Sequence, residues 1–193
     1  TEQRCSRRVT TPKDAAIEAV ARPAMAVLGA GSWGTALAVH LARTGHPTVL
    51  WGREPAQMAA LAAARCNTRY LPMTPFPESL RVESDLAHAV AAAQELLLAV
   101  PSHGFRECLV HVAPLLRNGM RVAWATKGFE LDSGKLPHQV ANEVLGIGVP
   151  KAVLSGPTFA REVGLGLPTA MTVASRDQDY ALALARALSG QHF

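Results

Sequence analysis

Residues 24–34 read Ala-Met-Ala-Val-Leu-Gly-Ala-Gly-Ser-Trp-Gly, and the fold turns on them. The first five are apolar without alternation, the pattern of a short strand buried on both faces. Glycines follow at 29, 31 and 34, and residues 35–43 continue with the composition of a helix carrying few polar groups. Strand, Gly-x-Gly-x-x-Gly and helix in that order make the fingerprint of a dinucleotide-binding turn, whereas the glycines alone would be a weak signal. The three glycines do different things. Gly29 allows the tight turn, Gly31 lets backbone approach a pyrophosphate, and Gly34 lets helix and strand pack closely. The helix start then offers free N–H groups and a partial positive charge to the phosphates. A glycine-rich turn with no ligand is the competing reading, and the flanking strand and helix weigh against it.

Outward from this stretch the same alternation recurs. Apolar runs stand at 48–51, 95–100, 121–125, 151–155 and 170–174, with a weaker one at 80–82 after a proline-rich loop at 71–77. Between most of them lie alanine- and leucine-rich segments of helical length, at 56–65, 85–93, 105–116, 136–145 and 179–188. Buried strands alternating with helices predict an α/β, Rossmann-like, doubly wound domain: a mostly parallel sheet with helices on both faces. Local punctuation agrees. Pro55 suits a first helical position, Gly45 a helix stop, and Ser175 with Gln178 has capping-box spacing before the last helix.

The chain has 193 residues, 49% hydrophobic and 18% charged, enough for one domain with a core and incompatible with a disordered polyelectrolyte. Residues 1–22 carry half of the net charge of +4, so no broad nucleic-acid-binding face is implied. They form an expected N-terminal extension, poorly ordered, and residues 23–193 the nucleotide-binding domain. Cys5, Cys66 and Cys108 are widely spaced, which favours a reducing cytoplasm over a disulfide framework or zinc site. Pro23 to Ala42 lacks Asp, Glu, Lys and Arg over about the length of a membrane span. The glycines at its centre argue against a lipid-exposed helix.

In an open α/β sheet ligands bind beyond the carboxyl ends of the strands. After the second strand comes Gly52-Arg53-Glu54. Glycine occupies the position where an acid would accept from a ribose 2′-hydroxyl, and Arg53 suits a 2′-phosphate, which leans towards NADP(H) or dual use. Glu54 could instead serve the ribose, and Arg53 could be a solvated loop charge. Lys127, in Ala-Thr-Lys-Gly after a buried strand, could meet a phosphate or carbonyl or be an ordinary surface lysine. Thr158 either caps a short helix or binds a substrate phosphate. The histidines show no HxxxH or HxH spacing, which argues against a metal site, and only His103 stands near the expected cleft.

GAGSWGTALA (29–38), LWGRE (50–54), NTRYLP (67–72), AVPSH (99–103), WATKGFE (124–130), LSGPTFAREV (154–163) and GLPTAMTVAS (166–175) occur in this order. Together they resemble the N-terminal half of the bacterial NAD(P)-dependent sn-glycerol-3-phosphate dehydrogenases, from about Met25 to Phe193. The resemblance implies hydride transfer between NAD(P)(H) and C2 of a three-carbon backbone. That reaction interconverts dihydroxyacetone phosphate and sn-glycerol 3-phosphate for glycerophospholipid synthesis. Carried over by motif, Ser32, Trp33, Arg53 and Tyr70 would touch the cofactor, and Lys127 both cofactor and substrate. Gly156 and Thr158 would hold substrate, and Ala160 would line the cofactor side.

In that family a helical C-terminal domain follows, supplying a proton-transferring lysine and much of the substrate pocket. This sequence stops at His192-Phe193, so the expectation is cofactor binding without turnover by this chain, and a homodimer for the full-length protein. Two alternatives remain at this point. One is a stand-alone NAD(P)-binding regulatory module, which would need neither ATKG nor SGPTFA. The other is a two-domain reductase of the 6-phosphogluconate or ketopantoate type, which would not be expected to show SGPTFA here.

Overall fold

The computed structural model describes residues 22–190. The expected extension lies outside them apart from Arg22. Seven strands form the main sheet: β1 (Met25–Leu28), β2 (Thr48–Trp51), β5 (Leu80–Glu83), β6 (Glu95–Leu98), β7 (Arg121–Trp124), β8 (Lys151–Ser155) and β9 (Thr172–Ser175). Their spatial order is β5-β2-β1-β6-β7-β8-β9. Winding outward in both directions from β1 makes the gap between β1 and β6 the topological switch point, where a doubly wound sheet opens its ligand crevice. Two short strands, β3 (Cys66–Asn67) and β4 (Leu71–Pro75), pair separately as an antiparallel hairpin.

The absence of alternation in the strand sequences has a direct cause. Met25 and Val27 of β1 face one core with Leu50, Leu97 and Ala123, while Ala26 and Leu28 face another with Val49, Leu96 and Leu98. Side chains alternate across a strand, so apolar residues at every position mean that both faces are covered. Helices α1 (Ser32–Arg43), α2 (Pro55–Ala64) and α7 (Gln178–Leu188) close the first core. Helices α3 (Leu86–Ala91), α4 (Ser102–Val112) and α5 (Pro137–Leu145) close the second. Parallel register aligns Leu28 with Trp51 and Leu98, and Leu98 with Trp124. The loops after β1, β2, β6 and β7 therefore emerge along one edge.

The charge-free stretch within 23–42 is explained by α1. Every residue from Gly34 to Ala42 is buried. The sheet lies on one side, and Leu71 of β4 with Val163 of α6 (Ala160–Leu165) packs on Ala36 from the other. No helix among the described residues is long and apolar enough to cross a membrane.

Three local expectations change. The loop at 71–77 contains β4, and the last strand, β9, runs antiparallel to β8. A parallel return needs a crossover helix laid on the sheet; α6 packs on α1 instead, so the chain turns back beside β8. The last helix is capped by Asp177, whose carboxylate accepts from the Tyr180 N–H at 2.9 Å. Ser175 donates to the Lys151 carbonyl at 2.6 Å and forms no capping box.

Candidate functional site

A cleft of about 820 Å³ opens at the switch point. One wall is the glycine loop, and its far sides are the loops after β2, β6 and β7 and the segment entering α6. Gly29, Gly31, Ser32, Trp33, Arg53, Tyr70, Lys127, Thr158 and Ala160 all line it, as does His103. Gly34 and Gly156 do not line it, and their roles differ. A Cβ on Gly34 would stand 1.8 Å from the Gly29 carbonyl oxygen, so this glycine sets the approach of helix to loop. A Cβ on Gly156 would stand 2.7 Å from the Ala170 carbonyl oxygen, while the Gly156 carbonyl itself accepts from the Lys127 ammonium at 3.5 Å.

The glycine loop is shaped from within. Gly29 has φ +120°, and a Cβ there would meet the Ala99 carbonyl oxygen at 2.7 Å. Gly31 has an ordinary extended backbone (φ −79°, ψ −174°), and a Cβ there would meet nothing within 4 Å. The conformation does not require glycine at 31; what the missing side chain leaves is open space against the backbone at the start of α1. That helix has no side-chain cap and no acid in its first turn, so its N-terminus keeps its attraction for an anion.

Two buried polar atoms in the cleft residues have no partner among the described residues: the Trp33 indole Nε1 and the Thr158 hydroxyl. Buried donors are ordinarily satisfied. Both belong to residues expected to touch ligand, and both fit a group arriving with acceptor oxygens. Thr158 does not cap α6, because Phe159 occupies that position. With the open cradle at Gly31, these atoms make the residues present a fit for a dinucleotide.

At the second strand, a Cβ on Gly52 would stand 2.5 Å from the Met58 sulfur and 3.0 Å from the Ala30 Cβ. There is no room for an acidic side chain at this position, and the charged groups begin at the exposed Arg53. No hydrogen bond or ion pair with a described residue holds the Arg53 guanidinium. Glu54 stands at the N-cap of α2 without accepting a side-chain capping bond.

The loop carrying Lys127 is braced on either side of the lysine. Thr126 donates to the Val100 carbonyl at 2.7 Å. Arg106 grips Glu130 with two bonds, at 2.6 and 2.9 Å, and also reaches Glu143 at 2.8 Å. These bonds from Arg106, with one from Ser133, hold the Glu130 carboxyl down at about 2. The cleft's one thiol among the described residues, Cys108, is pushed up to about 12 by burial, which leaves it no thiolate with which to react. No group of three His, Cys, Asp or Glu among the described residues could hold a metal ion.

Leu86 and Gln57 line the cleft without lying in any of the motifs, while Trp51 and Phe159, the latter 71% exposed, stand inside LWGRE and LSGPTFAREV but have no role assigned by those motifs. Asn67 lies behind the wall, fully buried, and joins the hairpin to the glycine loop.

A family model described as "NAD-dependent glycerol-3-phosphate dehydrogenase N-terminus" matches residues 24–181. The chain belongs to this family. Glycerol-3-phosphate dehydrogenase (NAD(P)+) from Aeromonas hydrophila is 58% identical over 158 residues, 82% of this chain and 47% of that protein. A crystal structure of glycerol-3-phosphate dehydrogenase from Coxiella burnetii matches with a TM-score of 0.85 at 42% identity, over 89% of this chain and 52% of that one. The glycerol-3-phosphate dehydrogenase structure from Dunaliella salina, at 19% identity and a TM-score of 0.80, shows the shared fold. The chain thus spans about half the length of the curated glycerol-3-phosphate dehydrogenases it matches. Membership in this family sets aside the 6-phosphogluconate and ketopantoate types.

Proposed function

We propose that residues 23–193 are the nucleotide-binding half of an enzyme that interconverts dihydroxyacetone phosphate and sn-glycerol 3-phosphate with NADP(H) or NAD(H). The product serves glycerophospholipid synthesis, and the whole protein acts as a homodimer in the cytoplasm. The observation that carries this reading is the open cradle at Gly31, in one cleft with the unpartnered Trp33 and Thr158 atoms.

In this reading Gly29, Gly31 and Gly34 shape the pyrophosphate turn, and Ser32 and Trp33 meet the cofactor at the helix start. Arg53 pairs with a 2′-phosphate, while Tyr70 and Ala160 line the cofactor's course. When bound, the nicotinamide supplies or takes up the hydride. Reduction of a keto carbon leaves negative charge on its oxygen, and the Lys127 ammonium offsets it. Its bond to the Gly156 carbonyl aims the ammonium, and Thr158 donates its hydroxyl to the substrate. Proton transfer is assigned to a lysine in the helical half of the family's enzymes, outside the stretch matched here.

The test is calorimetric titration with NADPH and NADH, beside an assay with dihydroxyacetone phosphate. Arg53→Ala is expected to weaken NADPH at least tenfold and leave NADH within twofold. Absence of saturable binding of either nucleotide overturns the reading.

A further inference from the structure

The Ala30 carbonyl, in the middle of the glycine loop, accepts two side-chain hydrogen bonds from separate elements. Asn67 Nδ2 of the hairpin donates to it at 3.1 Å, and Gln57 Nε2 of α2 donates at 3.2 Å. Asn67 also donates to the Thr35 hydroxyl of α1 at 2.8 Å, and its Oδ1 accepts the Tyr70 N–H at 3.1 Å. An acceptor facing Tyr70 and two donors facing Ala30 and Thr35 fix which way the amide is turned. Both Asn67 and Thr35 are fully buried. The Gly31 N–H, by contrast, donates to no described residue.

In a planar trans peptide the carbonyl and the N–H of one unit point in opposite directions. Holding the Ala30 oxygen from two sides therefore fixes where the Gly31 N–H points, which is away from Asn67 and Gln57. We propose that Asn67 and Gln57 are positioning residues that clamp the Ala30–Gly31 peptide and hold the Gly31 N–H ready for the pyrophosphate of the dinucleotide. Through its bond to the Tyr70 N–H, Asn67 keeps that stretch of backbone in register with the loop. The inference rests on the dinucleotide reading given above and adds two residues that act through the glycine loop, Asn67 from behind the wall and Gln57 from the edge of the cleft.

The experiment titrates the unaltered chain, Gln57→Met and Asn67→Ala with NADPH and with adenosine 2′-monophosphate, which has no pyrophosphate, and records melting temperatures alongside. Methionine keeps the length of glutamine and removes the donor. Gln57→Met is expected to weaken NADPH about threefold to tenfold, the scale of one net hydrogen bond, with the affinity for the monophosphate unchanged and the melting temperature lowered by no more than about 2–4 °C. Asn67→Ala is expected to lose more; if it does not fold, Gln57→Met decides alone. Unchanged NADPH affinity in Gln57→Met, or equal losses for both ligands, overturns the clamp. An unaltered chain that binds NADPH while Gln57→Met binds it equally well sinks the clamp only. An unaltered chain that binds no NADPH sinks the functional reading and the clamp with it.

Discussion

Gly31→Ala and Gly34→Ala add the same methyl group three residues apart and are expected to do opposite things. At Gly31 the backbone already has φ −79°, and the new Cβ would meet nothing within 4 Å. Replacing glycine by alanine where the conformation permits narrows the unfolded ensemble and stabilises by about 0.4–1 kcal/mol. For a domain of this size that is a rise in melting temperature of about 1–4 °C. The same methyl occupies the space through which a pyrophosphate would approach, so NADPH affinity should fall at least tenfold, or about 1.4 kcal/mol. At Gly34 the Cβ would stand 1.8 Å from the Gly29 carbonyl oxygen and 3.2 Å from the Ala99 Cβ. The obstacle is backbone, so the helix start must move, at a cost of about 1–3 kcal/mol or more. Differential scanning fluorimetry and NADPH titration on both variants decide the matter. A Gly31→Ala chain that melts several degrees lower, or that binds NADPH as well as the unaltered chain, refutes the reasoning.

Glu130 is held at about 2 by Arg106 and Ser133, below its unfolded value near 4.3, so its contribution to stability is present above that value and disappears as pH falls towards about 2. Glu130→Gln should flatten the fall of melting temperature between about pH 4.5 and 2. Tyr180 is 1% exposed and its hydroxyl has no partner among the described residues, so Tyr180→Phe should leave stability in urea unchanged or raise it by up to about 1 kcal/mol; a loss above that size would show a bond at the hydroxyl. Cys108 should resist a thiol reagent at pH 8 until the chain unfolds, and Cys108→Ser should leave the native count of reactive thiols unchanged.

Burial on both faces made the strands legible. Met25–Leu28 and Glu95–Leu98 carry apolar side chains or stems at successive positions because helices cover both sides of the sheet. The direction of β9 was not legible, since it depends on α6 docking against α1, a contact with no local trace in 160–175. Strand β4 was hidden by Pro72 and Pro75, which a strand outside the main sheet can carry. At the site, the glycine turn, Lys127 and Thr158 were marked by motif and by position at strand ends. The packing of Gly52 against Met58, and the junction of Asn67 and Gln57 on the Ala30 carbonyl, join residues separated by 6 to 37 positions in sequence. No periodicity or propensity reports such a meeting.

Because α1 is enclosed by the sheet on one side and by β4 and α6 on the other, its hydrogen-bonded N–H groups from Thr35 onward should exchange only when much of the domain opens with them. In the reading proposed above, a glycine turn anchored to such a helix is already in its working shape before any nucleotide arrives. Little ordering entropy is then lost on association at this end of the cleft, and its affinity should vary little with temperature-driven loop motion.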